Sequence, residues 1–179
     1  MVTALIPAAG ASARLGRPKQ LVRLDGETLV HRAVRVCREA GCARVVVVEG
    51  AVSLGSVAGA EVVRCEGWAA GPGASLRAGA QTITSGAALV LLVDQWRVTA
   101  EHLRAVLDAK GPVVAAHYAG GLGVPARFDA THVQVLRALD DSSGAKAWLR
   151  ANAAVVTAVG MPEAEDDLDT ADQLARFQI

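Results

Sequence analysis

Aromatic residues are nearly missing: three tryptophans, two phenylalanines and one tyrosine make up 3% of the 179 residues. A core must therefore be assembled from alanine, valine and leucine, and apolar residues do reach 52% of the chain. Cysteine is scarce too. Cys37, Cys42 and Cys65 are odd in number and include no CxxC pair, which argues against a disulfide framework or a zinc site and favours a reducing compartment. Apolar runs are short; residues 87–93 form one of the longest and fall far below a bilayer span. The first residues lack a basic stretch followed by a long apolar segment, so no signal peptide is expected and the expected location is the cytoplasm. The formal net charge is zero, a poor match to a nucleic-acid or membrane-surface partner.

What is present alternates. Residues 3–6 read as a short strand stopped by Pro7, and a small-residue loop follows at 8–16. Residues 27–40 carry Leu29, Ala33, Val36, Cys37 and Ala40 at helical spacing, with Gly41 as a stop. The valine run 45–48 has no polar alternation, which fits a strand buried on both faces. Helices are expected at 74–82, 100–109, 131–139, 144–151 and 170–177. Strands are expected at 87–93, 112–116 and 155–159. This alternation predicts one domain over 1–179 with a Rossmann-like three-layer α/β/α fold around a mostly parallel sheet. Ligands bind such sheets at the carboxyl ends of the strands, so the loops after Ile6 and Val93 should meet at one site.

The first of these loops, from Pro7 to Lys19, is the most informative stretch. Its small residues, Ala8, Ala9, Gly10, Ala11 and Ser12, let backbone N–H groups approach an anion closely. Arg14 and Lys19 add positive charge. The chain has only three lysines against fifteen arginines, so a lysine after Arg17-Pro18 suggests a site that wants a compact point charge. The glycine spacing is neither that of the Walker loop nor GxGxxG.

With Pro18-Lys19-Gln20-Leu21, this stretch resembles the opening of the nucleotidyltransferases related to molybdenum cofactor cytidylyltransferase, roughly L-A-A-G-x-S-x-R-M-G-x-x-K-x-L. Further blocks resemble the family in the same order: residues 67–79, ending Ser75-Leu76-Arg77-Ala78-Gly79; Asp94-Gln95 with Val98-Thr99; Gly144-Ala145-Lys146-Ala147; and residues 167–174. The resemblance implies transfer of a nucleotide from a nucleoside triphosphate to a phosphorylated acceptor, with Mg²⁺ (or Mn²⁺). It makes Arg14, Lys19 and Asp94 the candidate catalytic residues. Gly71 and Ser75 match family positions near the base.

Asp94 follows a wholly apolar strand and faces the phosphate loop, the usual place for a magnesium ligand. Asp167 and Asp169 lie two residues apart, and either is a candidate second ligand, Asp169 the favoured one. In the family, Ala-Ala-Gly at positions like 8–10 goes with cytidylyl transfer and Ala-Gly-Gly with guanylyl transfer, so CTP and a molybdopterin-type acceptor are implied. Trp96 replaces the family's proline, Arg97 follows it, and Val124 stands where a histidine precedes the proline. These three are the candidate acceptor pocket; Trp96 offers a flat face to a ring and Arg97 a partner to an anion. The other readings left open are cytidylyl transfer to an isoprenoid or sugar phosphate, guanylyl transfer, and a nucleotide- or cofactor-binding module without turnover. Small molecules are the expected partners, with a molybdoenzyme or chaperone downstream, and the chain is a monomer or homodimer.

Overall fold

The computed structural model describes residues 1–168, so Asp169 and the helix expected at 170–177 lie outside the described residues. In chain order the elements are β1 (Val2–Pro7), a small hairpin β2 (Arg23–Leu24) and β3 (Glu27–Thr28), α1 (Leu29–Glu39), β4 (Arg44–Glu49), β5 (Glu61–Arg64), α2 (Pro72–Gln81) and β6 (Ala87–Val90). They continue with α3 (Ala100–Asp108), β7 (Val113–Tyr118), β8 (Gly121–Phe128), α4 (Val133–Arg137), α5 (Ala145–Ala151) and β9 (Val156–Gly160). One sheet runs β5-β4-β1-β6-β8-β7-β9, all parallel except β8, which is antiparallel to both neighbours.

The valine run explains the layering. Val45, Val46, Val47 and Val48 are each no more than 1% exposed. Successive side chains on a strand point to opposite faces, so Val45 and Val47 join a core with Ala4 and Ile6, and Val46 and Val48 join another with Leu5. Helices α1 and α3 cover the first face; α2, α4 and α5 cover the second. Each buried valine stabilises the fold by roughly 1.5–3 kcal/mol relative to exposure. Six aromatics suffice because the layers meet through small branched side chains. Phe128 and Trp148 pack ring against ring, their centroids 5.8 Å apart.

Local chemistry sets the boundaries. Helix α1 starts later than residue 27 because Glu27 and Thr28 pair with Leu24 and Arg23 in the hairpin, turned by Asp25 and Gly26 at φ 51° and 81°. The Thr28 hydroxyl then accepts the His31 N–H and caps the helix. At α3, Thr99 and His102 cap each other reciprocally. Beyond the two hairpin strands, two more lie where none was expected. β5 is a four-residue edge strand, and β8 contains Gly121, Gly123 and Pro125, which weaken a strand reading. No helix among the described residues is long and apolar enough to cross a membrane.

The neighbours β1 and β6 run parallel, so the segments that leave them emerge at the same edge. The loop after β1, the loop after β6 and the first turn of α2 meet there.

Candidate active site

These three segments enclose a cleft of about 510 Å³. Its walls include Ala8, Ala9, Gly10, Ser12, Arg14, Lys19, Gly71, Ser75 and Asp94. Ala11 sits between lining residues in the same loop. Trp96, Arg97, Val124 and Asp167 do not line it.

The small-residue loop is clamped at both ends. The Ala8 N–H donates to the Val48 carbonyl at 2.8 Å, and the Ala51 N–H donates to the Ala9 carbonyl at 2.9 Å. Ser12 turns the chain at φ 53°, and its Oγ accepts the Lys19 N–H at 3.0 Å. Gln20 is buried, and its amide reaches back to the Gly10 carbonyl at 3.4 Å. The Ser12 hydroxyl therefore shapes the loop and sets the root of Lys19. Among the described residues, the N–H groups of Gly10, Ala11, Ser12 and Ala13 have no acceptor. A run of such donors is what an oxyanion needs.

Lys19 crosses the cleft to Asp94. Its Nζ lies 2.6 Å from Oδ2, and the two side chains are 19% and 11% exposed. The other carboxylate oxygen, Oδ1, is buried and accepts no hydrogen bond among the described residues. A buried, unmet carboxylate oxygen is costly unless something binds it. An oxygen of this hardness beside a phosphate site suits Mg²⁺ or Mn²⁺, which take few protein carboxylates and complete their shell with phosphate and water. Among the described residues no cluster of three or more acidic, histidine or cysteine side chains surrounds it.

Gln95, next in sequence, is satisfied throughout. Its amide nitrogen donates to the carbonyls of Val124 and Ala164 at 2.7 and 2.8 Å, and its oxygen accepts the Leu92 N–H at 3.2 Å. It ties the Asp94 loop to β8 and to the chain approaching Asp167. Asp167 itself is near Tyr118, whose phenol is pushed up by burial first and by that carboxylate second. The Val124 side chain is buried in the core on the α2 face. Trp96 is partly buried against the opposite core, its carbonyl accepting Arg32 Nε at 2.8 Å. The Arg97 guanidinium sits 5.9 Å from the Trp96 ring centroid and pairs with Asp166.

The far wall is close-packed backbone. A Cβ at Gly71, whose φ is 138°, would lie 2.4 Å from the Asp141 carbonyl oxygen, and one at Gly73 only 1.8 Å from that of Asp140. Arg77 reinforces the contact through the Leu139 carbonyl and the Asp141 carboxylate. Much of the 67–79 motif thus joins α2 to the 139–144 segment. Ser75 is 5% exposed and lines the cleft from the first turns of α2.

Trp68 lines the cleft as well and packs against the core on the α2 face. A Cβ at Gly50 would lie 2.6 Å from the Trp68 Cβ and 2.7 Å from the Ala9 Cβ. Gly50 thus makes the room in which the Ala9 methyl and the indole share one wall. Trp68, Gln20 and Gln95 were legible only as members of motifs; nothing in their spacing separates cleft lining from internal clamping.

A 41% identical relative is the probable molybdenum cofactor guanylyltransferase of Opitutus terrae, aligned over 114 residues, 60% of this chain. The chain spans 56% of that protein's length. Among solved structures, Rv0371c of Mycobacterium tuberculosis is 26% identical with a TM-score of 0.79, covering 98% of this chain and 96% of its own. The structure of Rv0371C complexed with manganese is 25% identical with a TM-score of 0.75, over 98% and 97%. The family model for the MobA-like NTP transferase domain matches residues 4–156, which include the small-residue loop, Lys19, the 67–79 motif and Asp94. The chain belongs to the MobA-like NTP transferase domain family.

Proposed function

We propose that this protein transfers a nucleoside monophosphate from a nucleoside triphosphate to a phosphorylated acceptor of the molybdopterin type. The observation that carries this reading is the meeting of Lys19 and Asp94 across 75 residues of sequence, beside a loop whose backbone donors have no acceptor among the described residues. The chemistry is displacement at the α-phosphorus. An acceptor phosphate oxygen forms a bond to that phosphorus, the bond to the β-phosphate bridging oxygen breaks, and pyrophosphate leaves with the electron pair.

Both reactants are anions, so the protein's work is to hold charge. The N–H groups of residues 10–13, with Arg14 and Lys19, bind the triphosphate and stabilise the charge that builds on the leaving pyrophosphate. Asp94, and Asp167 or Asp169, would hold Mg²⁺ or Mn²⁺, which would supply Lewis acidity toward phosphoryl oxygens. The manganese complex of the 25% identical relative supports a divalent ion of this kind. No protein nucleophile is required, because positioning and electrostatics dominate phosphoryl-type transfer.

CTP is the proposed donor. The Ala9 methyl lies beside Trp68 in the cleft wall, where it would narrow a base slot against a purine. Trp68 offers the base a flat apolar face, and Ser75 a hydrogen bond to its edge. A second reading, GTP, is favoured by the name of the 41% identical relative. Trp96 and Arg97 would meet the acceptor outside the cleft, with Val124 acting through the backbone that Gln95 holds. Calorimetric titration with CTP, GTP, ATP and UTP in Mg²⁺, followed by pyrophosphate release with molybdopterin, tests the reading. CTP-selective, metal-dependent binding with turnover is the expected result. Selectivity for GTP would move the donor assignment, and the absence of turnover with all four nucleotides would overturn the enzyme.

A further inference from the structure

We infer that Cys37 and Cys42 form a redox pair: a small peroxide closes them into an intramolecular disulfide that ties the last turn of α1 to the chain entering β4, while Cys65 remains a thiol. The geometry of the helix end carries the inference. Helix α1 stops in a glycine-capped turn. The Cys42 N–H donates to the Cys37 carbonyl at 3.1 Å, and the Gly41 N–H donates to the Arg38 carbonyl at 3.0 Å. Gly41 takes the left-handed φ, 98°, that this turn requires. Such a turn folds the side chain just past the helix back against the one five residues earlier, a contact that is ordinarily apolar. Here both positions are cysteine. The two sulfurs are in hydrogen-bond contact and lie in the core on the α1 face of the sheet. Cys65 belongs to the core on the opposite face, so the sheet separates it from the pair, and all three cysteines are free thiols.

The pair is asymmetric. The Cys37 thiol donates to the Cys42 sulfur, and that bond, with the Arg38 charge nearby, holds the Cys42 thiol below its usual range against the effect of burial. The same bond, and then burial, pushes the Cys37 thiol up. Cys42 is therefore the thiolate that reacts first, and Cys37 the thiol that resolves it. The Cys42 sulfur attacks one peroxide oxygen, the O–O bond breaks, and hydroxide leaves with the electron pair and takes up the proton Cys42 has lost. The product is a sulfenic acid. The Cys37 sulfur then attacks the Cys42 sulfur, the S–O bond breaks, and the Cys37 proton leaves with the hydroxide as water. Two thiols are oxidised to one disulfide, and the peroxide is reduced to two waters. Cys42 is 3% exposed and Cys37 0%, so the oxidant must be small, and it enters where a helix end opens locally at least cost. The bridge forms at the end of β4 opposite Val48, so the Ala8 clamp on the small-residue loop stays in place.

The test exposes the intact protein to a small excess of hydrogen peroxide, blocks the remaining thiols with iodoacetamide in denaturant, and maps unreduced tryptic peptides by mass spectrometry. Cleavage after Arg35, Arg38 and Arg44 places the two cysteines on separate peptides, 36–38 and 39–44. The expected product is those two peptides joined, lighter than their sum by two hydrogens, with Cys65 carrying the blocking group. Dithiothreitol should part them. Cys65→Ser should give the same joined peptides, and Cys42→Ala should leave Cys37 a blocked thiol. Three results in the wild type would each overturn the pair: Cys37 and Cys42 both still blocked, Cys42 carried on to sulfinic acid without a bridge, or Cys65 joined to either of them.

Discussion

Lys19 and Asp94 meet at 2.6 Å with 19% and 11% of their side chains exposed, whereas Arg35 meets Glu27 at 2.9 Å and Glu39 at 3.1 Å with 44%, 30% and 48% exposed. The two clusters use the same attraction. On the surface of α1 the guanidinium donates to both oxygens of both carboxylates. In the cleft one carboxylate oxygen is buried and unmet among the described residues. A surface network reaches its full complement of hydrogen bonds by itself and is screened by water. The cleft pair is deeper and incomplete, which is the pattern of a site built to receive something else.

Substitutions can break or sharpen this contrast. The largest effect is expected at Asp94. Asp94→Ala should lower turnover by more than about 100-fold, as removal of a central electrostatic group does, while circular dichroism stays native. Pyrophosphate release close to the wild-type rate would erase the functional distinction between the clusters. Lys19→Ala should weaken nucleotide affinity about tenfold, near 1.4 kcal/mol, by calorimetry in the presence of metal. Arg35→Ala belongs to the other side of the contrast. It should leave kcat and KM unchanged and cost no more than about 1 kcal/mol in urea unfolding.

The smallest effect is in acid. Arg35 holds the Glu27 carboxyl below its usual value of 4.5, chiefly through their hydrogen bond. A carboxyl depressed on folding contributes stability that is fully present above its unfolded pKa and is lost as pH falls through the folded one. The stability difference between wild type and Arg35→Ala should therefore shrink between pH 6 and about pH 3. A difference that grows on acidification would show that Arg35 acts through packing instead.

Much of the fold is legible because periodicity reports burial. The valines of β4 and the apolar stripe of α1 leave one reading each, and the order of strands and helices leads to a mostly parallel sheet. The strand β8 was hidden, since glycines and a proline interrupt it and its direction is set by pairing with β6 and β7 rather than by local pattern. The Asp25-Gly26 turn was a readable hairpin signal, although strands of two residues carry almost no periodicity of their own. At the site, the small-residue loop, Lys19 and Asp94 could be singled out from residue type and position. Their contact could not, since 75 residues separate them. Trp68 and Gly50 show why the rest stayed dark: the indole lines the cleft only because a distant residue lacks a side chain.

Gln95 gives the molecule a mechanical property. Its one amide nitrogen grips the backbone at Val124 and at Ala164, so the loop bearing Asp94 and the segment leading to Asp167 move as one piece. Nicking or trimming the chain ahead of Ala164 would strip a buried donor of an acceptor, at about 1–3 kcal/mol, and the loosening would reach the Asp94 loop directly. Protease protection around Ala164 and amide-exchange protection around Asp94 should therefore rise and fall together.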